Sequence, residues 1–83
     1  MENEKIVIEA TVAGKRLPLK IGKGQEAVHS QANELLNKCY AAYEMQHNAK
    51  LPKEDILAMT AYSLAVQVVD LQNMLLKAAN NGM

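Results

Sequence analysis

The apolar positions change their spacing twice along the chain. Between Lys5 and Val12, Ile6, Ile8, Ala10 and Val12 recur at every second residue, with Val7, Glu9 and Thr11 between them. Period two in a run rich in β-branched residues predicts a half-buried strand. Ala13-Gly14-Lys15-Arg16 follows, and Gly14 can take positive φ in a tight turn. Leu17, Leu19 and Ile21 then alternate with Pro18 and Lys20, which predicts a second strand. Pro18 has no N–H to give to a neighbour, so that strand lies on an edge. Together they predict a β-hairpin over about residues 5–21. A lone two-stranded hairpin is not stable in water, so its apolar face has to be covered by what comes next.

Gly22-Lys23-Gly24 ends the alternation, and from about residue 25 to 47 the period becomes helical. Val28, Ala32, Leu35, Cys39 and Ala42 are spaced 4-3-4-3, and Leu36, Tyr40 and Tyr43 form a stripe beside them. Glu34 and Lys38 stand in the favourable i, i+4 order. A loop at Asn48-Ala49-Lys50-Leu51-Pro52 separates this helix from a second, over about residues 53–79. Pro52 suits a helix start, Glu54 and Asp55 suit its positive end, and Asn80-Asn81-Gly82 suits its stop.

The second helix carries the sharpest pattern. Leu57, Ala61, Leu64, Val68, Leu71, Leu75 and Ala78 form an unbroken heptad seam. Met59, Tyr62, Val66, Val69 and Leu76 form another, with Asn73 as its one polar member. Between residues 56 and 69 only Thr60, Ser63 and Gln67 are polar. A stripe at helical spacing is usually the domain's own core. Two stripes on one helix need two covers, and the hairpin with the first helix can supply one. A second copy of the chain is the economical other. Each Leu or Val so buried stabilises by roughly 1.5–3 kcal/mol. Leu57, Ala61, Leu64, Val68, Leu71 and Leu75 are therefore the expected oligomerisation residues.

Length supports the same expectation. Eighty-three residues allow one domain, over residues 1–83, with a small core. Cys39 is the sole cysteine, so no internal disulfide can form, and oligomerisation remains the usual way to enlarge such a core. The polar start and the lack of an apolar run near 20 residues predict a soluble, cytoplasmic protein that does not insert in a membrane. The fold class is thus α+β: a hairpin, a helix, and a heptad-patterned assembly helix.

Charge removes further classes. Nine Lys and Arg balance nine Asp and Glu, Trp and Phe are absent, and three tyrosines supply all the aromatic surface. Phosphate neutralisation and base stacking both lack their residues, so nucleic acid is not an expected partner. The balance is uneven along the chain, however, at +2 through residue 25 and −2 beyond it. Lys15 and Arg16 stand at the hairpin turn with Lys20 close by. They read either as an ordinary solvated turn or as a basic tip that meets an acidic segment of a partner.

No catalytic constellation emerges. His29 and His47 are eighteen positions apart, and neither stands three or four from Cys39, which falls in an apolar stripe and reads as a small packed side chain. Glu54 and Asp55 are adjacent and point apart on a helix. Gly22-Lys23-Gly24 lacks the spacing of a phosphate loop. Neither an enzyme activity, a cofactor, a metal nor a small-molecule substrate is expected.

Over residues 5–76 the chain resembles the ZapA family of bacterial cell-division proteins. The likeness rests on I-V-I-E-A-T-V-A-G-K-R-L-P-L-K-I, on Ala32 four residues before Leu36-Asn37, and on E-D-I-L-A-M-T-A-Y-S-L-A-V-Q-V-V-D-L. It departs where the family's second helix carries Leu-Asn, since Ser63-Leu64 stands here. The resemblance implies a cytoplasmic, non-catalytic protein at the division site. It would bind the tubulin-like division protein FtsZ, promote association of its filaments, and form dimers that pair into tetramers. It also makes Lys15 and Arg16 the first candidate contacts, with Lys20 beside them. A generic dimeric adaptor or secretion-type chaperone is the alternative reading, and a DNA-binding β-ribbon dimer fits the element order but not the charge.

Overall fold

The computed structural model describes residues 4–48 and 50–81. Residues 1–3, Ala49 of the loop and Gly82 of the expected helix stop lie outside them. The order is β1 (Lys5–Val12), β2 (Lys15–Gly22), α1 (Glu26–Gln46) and α2 (Lys53–Asn81). The expected α+β arrangement, a hairpin followed by two helices, is what the chain forms.

β1 and β2 pair antiparallel in register from Lys5 opposite Gly22 to Val12 opposite Lys15. Ile6, Ile8, Ala10 and Val12 are partly covered and the residues between them are exposed, as their period requires. Beyond the ladder, the Lys23 N–H donates to the Glu4 carbonyl at 3.1 Å. Bonded pairs alternate along an antiparallel ladder, so Val12–Lys15, Ala10–Leu17 and Ile8–Leu19 are bonded, while Thr11–Arg16 and Glu9–Pro18 turn their backbone groups outward. The position where Pro18 lacks an N–H is therefore one where the ladder needs none.

The loop is two residues, Ala13 and Gly14, with φ of 52° and 81°. Positive φ at both positions marks the type I′ turn, whose twist matches that of the strands. Gly14 accepts it freely. Ala13 does not, because its Cβ crowds the following carbonyl.

α1 packs against both β1 and α2. Asn48, with φ of 54°, ends α1 in the left-handed conformation that asparagine tolerates, and the Pro52 carbonyl receives the Asp55 and Ile56 N–H groups at 3.0 and 3.2 Å to start α2. Of the two stripes on α1, the one beside the main series turns inward. Tyr40 is buried and Leu36 and Tyr43 are half-buried, whereas Val28, Ala32, Leu35 and Ala42 are exposed.

The core is slight. Among the described residues only Ile21, Tyr40, Ile56 and Thr60 are buried. The radius of gyration is 16.2 Å, against roughly 12 Å for a compact chain of this length. The accessible surface is 6820 Å², against roughly 4,900 Å² for a compact 9.1 kDa monomer.

Candidate functional site

Two surfaces carry the residues singled out from the sequence, the hairpin tip and α2. At the tip, strand alternation divides the three cations. Arg16 and Lys20 share the outer face with Glu9 and Val7, while Lys15 stands on the other face at the turn. All three are exposed. The Arg16 guanidinium lies 4.0 Å from the Glu9 carboxylate, with both side chains well solvated. Such a pair contributes about 0–1 kcal/mol, so Arg16 can turn to another anion at little cost.

Beneath the tip, α1 takes hold of the strand edge. Thr11 faces its backbone N–H and carbonyl outward, and the Asn33 side-chain amide meets both. Its Oδ1 accepts from the Thr11 N–H at 2.9 Å and its Nδ2 donates to the Thr11 carbonyl at 3.3 Å. Asn37, one helical turn on, also donates to the Thr11 carbonyl, and its Oδ1 accepts the Ala13 N–H at 3.4 Å. Its Nδ2 is anchored at 3.0 Å on the Asn33 carbonyl as well. Asn37 was legible only as part of the resemblance, and Asn33 not at all. The available signal was two asparagines at i, i+4 inside a helix, where asparagine is a poor former unless its amide has other work.

Between the inner hairpin face and α1 runs an open groove of about 710 Å³, lined by Ile8, Ala10, Val12 and Leu17 from the strands and by His29 and Asn33 from the helix. The hairpin's apolar face is thus only partly covered within the chain.

On α2 the face turned into the chain is not a heptad seam. Ile56 and Thr60 are buried and Ser63 is half-buried, a stripe at i, i+4, i+7. The Thr60 hydroxyl donates to the Ile56 carbonyl at 2.8 Å, which satisfies it without a second element. The Cys39 thiol faces the Ser63 hydroxyl at 3.9 Å, where α1 and α2 meet. Leu57 and Leu64 flank this stripe half-buried. Ala61, Val68, Leu71 and Leu75 are exposed, and so are Tyr62, Val66, Val69 and Leu76 of the second seam. From Ala65 to Asn80 every residue is exposed.

Among the described residues no group of three His, Cys, Asp or Glu side chains is placed to hold a metal. No described helix is long and apolar enough to cross a membrane.

Comparison with known proteins finds a matching family. The family model described as "Cell division protein ZapA" matches residues 8–81. Neither the curated proteins nor the solved structures return a match. The matched span takes in nearly all of the hairpin, the asparagine clasp, and both helices with their two seams, and a match over that much of an 83-residue chain establishes membership. The chain belongs to the ZapA family of cell-division proteins.

Proposed function

We propose that this protein binds filaments of the division protein FtsZ and draws them together at the division site as a symmetric homo-oligomer in the cytoplasm, without catalysis or a cofactor. The family match over residues 8–81 carries the reading. Two features support its mechanism. Arg16, Lys20 and Lys15 offer solvated cations around one turn, suited to an acidic segment of the partner. The seam of Leu57, Ala61, Leu64, Val68, Leu71 and Leu75, exposed at Ala61, Val68, Leu71 and Leu75 and half-buried at Leu57 and Leu64, offers with the second seam beside it the surface for dimer and tetramer contacts. A symmetric oligomer then presents the same weak site two or four times, and effective concentration turns weak contacts into a cross-link.

The test is co-sedimentation with polymerised FtsZ of the same organism, alongside light scattering for filament association. Wild-type protein pellets with the polymer and raises the scattering. Reversal of Lys15 and Arg16 to Glu weakens both while the mass of the oligomer stays unchanged. A wild-type protein that neither pellets with nor bundles those filaments overturns the reading.

A further inference from the structure

Ala13 occupies the left-handed region at φ of 52°, which a residue with a Cβ adopts at a cost. Type I′ turns commonly carry Asn-Gly at these two positions, and this chain has Ala-Gly. The turn's own sequence is therefore a weak determinant of its shape. What bears on it from outside is α1. Asn37 accepts the Ala13 N–H, and Asn33 and Asn37 together hold both outward backbone groups of Thr11, which pairs with Arg16 across the ladder. We propose that Asn33 and Asn37 are positioning residues, which hold the strained turn in register on α1 and so set the direction in which Lys15 and Arg16 meet the partner.

The inference rests on the FtsZ-binding reading above for the partner, but not for the clasp. Loss of the clasp leaves the cations in place and frees the turn to move. The bound geometry then has to be ordered at the moment of binding, which weakens it.

Asn37→Ala removes the bonds to the Thr11 carbonyl and the Ala13 N–H. Amide exchange at Val12 and Lys15, the bonded pair that closes the turn, is expected to accelerate by about tenfold, and the affinity for polymerised FtsZ to fall by a similar factor, with the oligomer mass unchanged. Ala13→Asn restores the Asn-Gly turn, so Ala13→Asn combined with Asn37→Ala regains slow exchange and binding. A role of Asn37 in helix packing alone, or a direct touch on the partner, would not be rescued in that way. Three results overturn the proposal: exchange that does not change in Asn37→Ala, fast exchange with wild-type binding, or restored exchange without restored binding. Should Asn37→Ala not fold, Asn33→Ala, which leaves the Asn37 contacts in place, carries the same readings. A wild-type protein that fails to pellet sinks the FtsZ reading instead, and the clasp then stands or falls on exchange alone.

Discussion

Leu71→Asp separates the fold of the chain from its assembly. Leu71 is 59 % exposed in the single chain, between Val68 at 51 % and Leu75 at 71 %. Full burial of a leucine stabilises by about 1.5–3 kcal/mol, and the 59 % of Leu71 that is still exposed leaves about 1–2 kcal/mol of that for a partner to supply. A two-fold interface uses the residue twice, so the change removes about 2–4 kcal/mol, or roughly 30- to 1000-fold in the dissociation constant, before any cost of burying a carboxylate. The same substitution takes little from the chain itself, since an exposed Asp in a helix interior costs about 0.7 kcal/mol at most. Sedimentation equilibrium over a concentration series reads the effect. On the proposed reading the wild type shows a mass that is a multiple of the 9.1 kDa chain, and the variant falls to the single-chain mass at the same concentration. Gln72→Asp, on an exposed site off the seam, carries the same helix penalty and keeps the wild-type mass. The seam is refuted if Leu71→Asp retains the wild-type mass, or if Gln72→Asp dissociates equally.

Three further outcomes follow from the small core. Ile56→Ala, at a fully buried site, lowers stability by about 2–5 kcal/mol in urea titration at fixed protein concentration. Thr60→Val keeps the shape and removes a hydroxyl bonded only to its own helix, so the same titration shifts by about 1 kcal/mol or less, and a loss beyond about 3 kcal/mol contradicts the reading. Burial pushes the Tyr40 phenol above its ordinary value of 10.0, and the Glu44 carboxylate adds to the shift. A raised folded-state pKa in an acid means that the unfolded chain ionises first. Stability is therefore level below pH 10 on this account and declines above it, and Tyr40→Phe removes that share of the alkaline decline in a pH series followed by circular dichroism.

The hairpin was the most legible element, because Ile6, Ile8, Ala10 and Val12 alternate cleanly and strand period decides face. The turn was half legible: Gly14 announces positive φ, but nothing at Ala13 does, since the contact that holds it comes from Asn37, 24 residues away. On α1 the pattern offered two adjacent stripes and no means to choose between them. The choice falls to Leu36, Tyr40 and Tyr43 on the side of Asn33 and Asn37, whose amides must face the strand edge. On α2 the inward stripe runs through Thr60 and Ser63, which a count of polar positions places outside. A threonine that bonds its own helix carbonyl is satisfied at any depth, and hydropathy does not record that. Of the two stripes read from the sequence on α2, neither is the face turned into the chain: Leu57, Met59 and Leu64 are half-buried and the other apolar members are exposed.

That exposure connects the two surfaces. The molecule measures 49 × 37 × 15 Å, too thin for either broad face to be shielded by the chain itself. Its surface exceeds that of a compact monomer of this mass by roughly 1,900 Å². A cross-linker needs its reading sites held in fixed relation, and each link in that relation can be traced. The tip is held on α1 by Asn33 and Asn37 through the backbone of Thr11 and Ala13. α1 is held on α2, whose Ile56 and Thr60 are buried. On the proposed reading, α2 is held on its copies by the seam from Leu57 to Leu75. The seam is apolar and has no charges for salt to screen, whereas the tip is charged and screened by it. On the proposed reading, added salt therefore weakens the filament contact at the tip before it weakens assembly through the seam, and co-sedimentation and light scattering over a salt series read the two apart.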